Sequence, residues 1–195
     1  MRRITGLHER PRGRVVVEID GAEWRIFPVE VVARSGLRAG AELDRSLLRS
    51  LARELRRAKA LTVAARALRR RDLSTRRMDE RLSRSGVAPA ARAEAMAVLS
   101  RSGLLDDERF AAAQARSLAE RNLGDAAIRY DLEAHGIDPD GIERAFAEVP
   151  SERERADRVV ARRGRSPATA RYLARRGFGT EAVESAAGVE VAHEP

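Results

Sequence analysis

Apolar residues fall into two regimes along this chain. In the first 43 residues Val15, Val17 and Ile19 alternate with polar neighbours, and Trp24 and Ile26 resume the alternation beyond Asp20-Gly21, a strong two-residue hairpin signal. Ile4 and Leu7 are expected to add a strand before the hairpin, Pro28 to end it, and Val29 to Ser35 to form a short helix closed at Gly36. Beyond Asp44 the apolar spacing becomes three and four. Leu47, Leu48, Leu51 and Leu55 share one face of a long basic helix, and Leu61, Ala65 and Leu68 continue in helical register.

From there the chain repeats itself. A leucine, three mostly polar residues, a glycine and another apolar residue recur at 82–87, 99–104, 132–137 and 173–178. Each reads as a helix stop in which glycine takes the left-handed position and the last apolar residue packs back on the leucine. Helix starts match the stops: Ser74, Ala88-Pro89, Asp106 to Glu108, Gly124-Asp125, Asp138-Pro139, Ser151 with Glu154 in capping-box spacing, and Ser166-Pro167. Leu82, Leu132 and Leu173, each in the second helix of a triplet, lie 50 and 41 residues apart, a period suited to three short helices. The expected organisation is a β-rich region over 1–43, a basic connector helix over 44–57, three-helix repeats over 58–103, 104–150 and 151–188, and a tail over 189–195. The fold class is therefore mainly α, with tandem three-helix modules in an elongated curved array behind a small antiparallel β-hairpin region.

Composition sharpens this picture. Of 195 residues 43% are hydrophobic but only 4% aromatic, so each repeat has a thin core and must lean on its neighbours. There is no cysteine, which excludes disulfides, thiolate nucleophiles and cysteine metal sites. No secretory signal or membrane-length apolar run is visible, so a cytoplasmic protein without membrane association is expected.

The net charge of +8 is unevenly spread: +11 over residues 45–101 (16 basic, 5 acidic), −6 over 104–150 (5 and 11) and +6 over 152–178 (9 and 3). Basic repeats flank an acidic one, which suits a surface meeting partners of mixed charge. Lys59 is the single lysine. An arginine-studded helix is also what plain solvation of a face produces.

Catalytic chemistry finds little support. His8, His135 and His193 stand at no metal-ligand or triad spacing, and His135 precedes a stop glycine where an exposed capping role is expected. Asp106 and Asp107 sit at a helix start, where acids belong on electrostatic grounds, and lack a third carboxylate in register for magnesium. No catalytic residue, metal ligand or cofactor is expected. A helical DNA-binding regulator of helix-turn-helix type, acting through phosphate contacts, is the alternative reading; against it, Gln114 and Asn122, suited to reading bases, lie in the acidic repeat.

The residues also carry a resemblance. Ala64 to Leu68, Leu82 to Val87, the run Gly103-Leu104-Leu105-Asp106-Asp107-Glu108-Arg109-Phe110-Ala111, the glycine-led helix from Gly124 to Ile137 and Arg175-Arg176-Gly177-Phe178 resemble the RecX family of bacterial regulators of the RecA recombinase. The N-terminal hairpin with Val29 to Leu43 is similar to the β-rich extension of some members. Departures are arginine where lysine is common in the family, and Thr169 where the other repeats have Met78 and Ile128. The resemblance implies a protein that lodges in the groove of the RecA filament on single-stranded DNA and restrains strand exchange, ATP hydrolysis and co-protease action. A monomer is expected, and generic phosphate contacts by the arginines would add weak direct DNA binding beside that reading. On that reading Arg69, Arg70, Arg71, Arg76 and Arg77 of the first repeat and Arg162, Arg163, Arg175 and Arg176 of the third face the filament or its DNA, while the acidic repeat meets basic protein surface. For Arg175 and Arg176 the plainer role is to complement the negative end of the helix before Gly177.

Overall fold

A computed structural model describes residues 2–188; the expected tail over 189–195, with His193, lies outside the described residues. The chain divides into two compact units, one of residues 1–71 and 78–102, the other of 72–77 and 103–195.

The first unit begins with an antiparallel sheet, β1 (Ile4–Arg10), β2 (Arg14–Ile19) and β3 (Ala22–Pro28), paired in chain order. Asp20 and Gly21 both take positive φ (51° and 86°), as a tight two-residue hairpin needs. Helix α1 (Val29–Ser35) ends at left-handed Gly36. Val15, Val17 and Phe27 of the sheet pack with Val31 and Val32 of α1 and with Leu51. Val16 is buried too, between its cross-strand neighbours His8 and Ile26, so the far face of the sheet is less wet than strict alternation implies.

Helix α2 runs unbroken from Arg45 to Leu68, its start capped by the Asp44 carboxylate on Leu47 N–H at 2.7 Å. The stretch expected as a connector and the expected first helix of the first repeat are thus one helix; no glycine or proline lies between them to end it. Its two halves bury different faces. Leu47, Leu51, Leu55 and Ala58 pack against the sheet and α1, whereas the C-terminal half buries Ala60, Ala64 and Ala67. Contrary to the expected face, Leu48 stands one position off the apolar side and is 41% exposed, and the buried stripe is Ala60-Ala64-Ala67 rather than Leu61-Ala65-Leu68. Small side chains win that face because α4 (Pro89–Arg101), burying Ala91, Ala95 and Leu99, packs against α2. Glu54, buried where α1 meets α2, is held by Arg34 at 3.2 Å and flanked by Arg53 and Arg57. Helix α3 (Thr75–Arg84) buries Met78 and Leu82; the division between units falls within it.

The second unit carries α5 (Asp107–Glu120), α6 (Asp125–Ala134), α7 (Pro139–Phe146), α8 (Glu152–Arg163), α9 (Pro167–Arg175) and α10 (Thr180–Ala187). Phe110, Leu118, Ile128, Leu132, Ile137 and Ile142 form the core of α5–α7, and Val159, Leu173, Phe178 and Ala186 that of α8–α10. Thr169, buried where the other repeats carry Met78 and Ile128, turns its hydroxyl to Ser166 Oγ at 3.1 Å. No helix among the described residues is long and apolar enough to cross a membrane.

Three of the four repeated stops close as expected. Val87, Ile137 and Phe178 donate back to the carbonyls of Leu82, Leu132 and Leu173 at 3.1–3.2 Å, and Gly86, Gly136 and Gly177 are left-handed. The fourth departs: the Ser102 hydroxyl takes the Leu99 carbonyl, Leu104 is 55% exposed, and Leu105 is buried in its place. An unforeseen stop ends α5, where Asn122 takes the left-handed position (φ 58°) and Leu123 N–H donates to Leu118 O.

Candidate partner-binding surfaces

In the second unit, consecutive repeats meet through one recurring joint. The first turn of α6 lies against the stop of α9: Gly124 N–H donates to Arg176 O at 2.8 Å and Ala126 N–H to Gly177 O at 3.2 Å. Glu152, opening α8, accepts from Asp125 N–H at 2.6 Å and from Gly179 N–H at 3.0 Å, so one carboxylate serves the exposed first amides of two helices. Arg155 fills the space behind it at 2% exposure, donating to Pro150 O and Leu123 O and pairing with Asp125. A side chain on Gly124 would collide with the Gly177 carbonyl, so the backbones themselves are in contact.

The first turn of α3 meets the stop of α6 in the same way. Asp107, opening α5, accepts from Thr75 N–H at 2.7 Å, Ser74 Oγ donates to His135 O at 2.7 Å, and Arg76 lies across Gly136. Asp106 caps its own helix through Arg109 N–H at 2.9 Å. Both aspartates are therefore occupied with helix starts, and among the described residues no group of three or more His, Asp or Glu could hold a metal ion. His135 is half-buried with its ring 5.2 Å from that of Phe110, rather than exposed as expected, because the joint covers the end of α6.

The nine arginines singled out in the sequence separate into distinct groups. Arg69, Arg70 and Arg71 are exposed at the end of α2 in the first unit. Arg76 and Arg77, in the first turn of α3, belong to the second unit, with the stem of Arg76 committed to the joint. Arg163 and Arg176 converge on Tyr172, their guanidinium carbons 4.4 and 5.1 Å from its ring centroid. Arg176 also donates to Arg121 O at 2.9 Å, at the end of α5, so it fastens one repeat to the next. Arg162 and Arg175 are exposed beside this cluster and make no ion pair with a described residue.

The acidic repeat behaves differently. Four of its five arginines are paired locally, Arg109 with Asp106 at 3.8 Å, Arg116 with Glu148, Arg129 with Glu143, and Arg144 with Glu108 at 2.7 Å, while Arg121 makes no ion pair with a described residue. The surplus acids, Glu120, Glu133 and Asp140 among them, remain exposed. The hydrogen bond from Arg129 holds the Glu143 carboxyl below its ordinary range and raises the Arg129 guanidinium. Gln114 donates to Asp131 at 2.8 Å and Asn122 forms a helix stop, which leaves neither poised to read a base.

Sequence comparison decides the affiliation. A family model described as RecX, second three-helix domain, matches residues 106–145, the stretch from the cap of α5 to the last turn of α7. A regulatory protein RecX of Xanthomonas oryzae pv. oryzae is 33% identical over 144 residues, spanning 67% of this chain and 90% of that protein. This chain belongs to the RecX family. A regulatory protein RecX of Halorhodospira halophila is 32% identical over 134 residues, covering 64% of this chain and 83% of that protein. Among solved structures, a crystal structure of regulatory protein RecX superposes with a TM-score of 0.79 at 20% identity, covering 94% of this chain and 98% of that one. RecX from Lactobacillus salivarius gives 0.57 at 17% identity over 67% and 94% of the two chains. At these identities the two RecX structures speak to the fold alone.

The joint was missed in the sequence because its parts lie about thirty or more residues apart and use residue types ordinary at helix starts. A signal was nonetheless present: an acid at the first helical position of both α5 and α8, Asp107 and Glu152.

Proposed function

We propose that this chain is a non-catalytic regulator that lies along the RecA nucleoprotein filament on single-stranded DNA and restrains strand exchange, ATP hydrolysis and co-protease action. Membership of a family of regulatory proteins supports a RecA-related partner. The observation that carries the surface assignment is the contrast in commitment of charge. Arg162, Arg163, Arg175 and Arg69 to Arg71 are free of carboxylate partners among the described residues, whereas the acidic repeat pairs four of its five arginines internally and presents acid. Repeated units of alternating sign bind a polymer through several weak contacts whose register is set electrostatically.

Arg162→Glu/Arg163→Glu/Arg175→Glu should abolish inhibition of the filament ATPase while the fold persists. Unchanged inhibition removes these arginines from the account, and failure of the unaltered chain to co-sediment with RecA filaments removes the reading itself. A cytoplasmic location and a monomeric state are part of the same proposal.

A further inference from the structure

The first unit holds a charged groove that none of the nine arginines above enters. It lies between α2 and α4, about 660 Å³ in volume, with Arg49, Arg53 and Arg56 on one wall and Ala90 and Ala91 on the other. We propose that this groove binds the phosphate backbone of a nucleic acid without regard to base sequence.

The geometry of α2 creates the site. Its C-terminal half turns an alanine stripe (Ala60, Ala64, Ala67) into the protein, and α4 packs on this helix. Along the N-terminal half the same face passes beyond the start of α4, and there alanine gives way to Arg49, Arg53 and Arg56 at spacings of four and three. These three guanidinium-bearing positions span roughly 10 Å along the axis, a row suited to successive phosphates of one strand. The apolar face of this half is already spent on the sheet, and Arg49 and Arg56 have no folding role that explains them.

Their charge is largely uncommitted. Arg49 and Arg56 make no ion pair with a described residue, while Arg53 reaches Glu54 at 3.5 Å, a carboxylate already held by Arg34. Glu94 is the single acid on the groove wall.

A phosphate backbone fits better than an acidic protein segment. The lining offers serine hydroxyls (Ser46 and Ser50), alanine methyls and guanidinium forks, with no apolar or aromatic pocket to seat a protein anchor residue. Arginine forks match phosphate oxygens two at a time. The groove also has no aromatic ring for stacking and no asparagine or glutamine for base edges, so contact is confined to the backbone and indifferent to sequence.

The test uses the full chain with a fluorescently labelled oligothymidine and no recombinase, so its outcome is independent of filament binding. Anisotropy titration should give salt-sensitive binding. Arg49→Glu/Arg56→Glu should weaken it at least about tenfold, and the milder Arg49→Gln/Arg56→Gln should lower the slope of log affinity against log salt by about 1.4, the loss of two phosphate contacts. Both positions are exposed, so thermal melting should be unchanged. An oligonucleotide of mixed sequence should bind equally well. No binding by the unaltered chain, full affinity in both double variants, or equal displacement by polyglutamate of matched charge would each overturn the proposal.

Discussion

The backbone N–H of Asp125 donates to Glu152 Oε1 at 2.6 Å, across a sequence separation of 27 residues, and the N–H of Thr75 donates to Asp107 in the corresponding place of the preceding repeat. Each acid stands at the first position of its own helix and serves the first amide of another. Glu152→Ala removes the acceptor from both Asp125 and Gly179 and should lower stability by about 1–3 kcal/mol in urea unfolding. Glu152→Gln, which keeps an acceptor oxygen but loses the charge, should fall between.

Arg155 is the most buried charge of that joint, and its guanidinium satisfies two carbonyls and Asp125. Arg155→Met fills similar volume but leaves those acceptors unpaired, so a loss of about 3 kcal/mol is expected. Arg155→Lys, which cannot make the forked contact, should recover little of it. Chemical denaturation of both variants checks this.

Two glycines separate packing from backbone strain. Gly86 has open space around it and a φ of 69°, so Gly86→Ala should cost about 1 kcal/mol through the left-handed conformation alone. Gly124→Ala puts a methyl group into the Gly177 backbone and should cost more than about 2 kcal/mol despite ordinary dihedrals. Equal melting shifts for the two variants would contradict the close approach of α6 and α9.

Neighbouring arginines should part company. Arg175 is exposed, so Arg175→Glu should weaken partner binding and leave the melting temperature unchanged. Arg176→Ala loses the bond to Arg121 O and the stack on Tyr172, and should lower stability by about 1 kcal/mol. Calorimetry beside filament co-sedimentation distinguishes them.

Acid sensitivity has a local source as well. Hydrogen bonds from the Ser151 hydroxyl and backbone hold the Glu154 carboxyl below its ordinary 4.5, and the bond from Arg129 does the same for Glu143. Folding therefore favours the ionised forms: the contribution is present above pH 4.5 and disappears as pH falls through the lowered folded-state values. Ser151→Ala should make stability flatter between pH 5 and 3, measured by thermal melting at a series of pH values.

Most helix starts and stops, and the hairpin turn, were legible because they are local: Ser151 with Glu154, Ser166-Pro167, Asp138-Pro139, Asp20-Gly21, and the glycines at 86, 136 and 177 all take the roles their neighbours imply. Reading failed where a rule had a substitute or a competitor. Asn122 does a glycine's work, and Ser102 intercepts the carbonyl that Leu104 was expected to claim. It failed again along α2, because leucine draws attention whereas the decisive contact with α4 is made by alanine. Of the candidate surface, the charge alternation was visible in the sequence, but Tyr172 gathering Arg163 and Arg176 was not, since it needs the end of α8 beside α9.

Helix α2 leaves a mark that can be sought in sequences alone. Because Leu47, Leu51 and Leu55 are covered by the sheet and α1, a relative that has dispensed with its strands must also recolour those three positions with polar side chains, or expose a greasy ridge to water. Strands and leucines should therefore be inherited or lost as a pair, whatever happens to the alanines farther along the same helix.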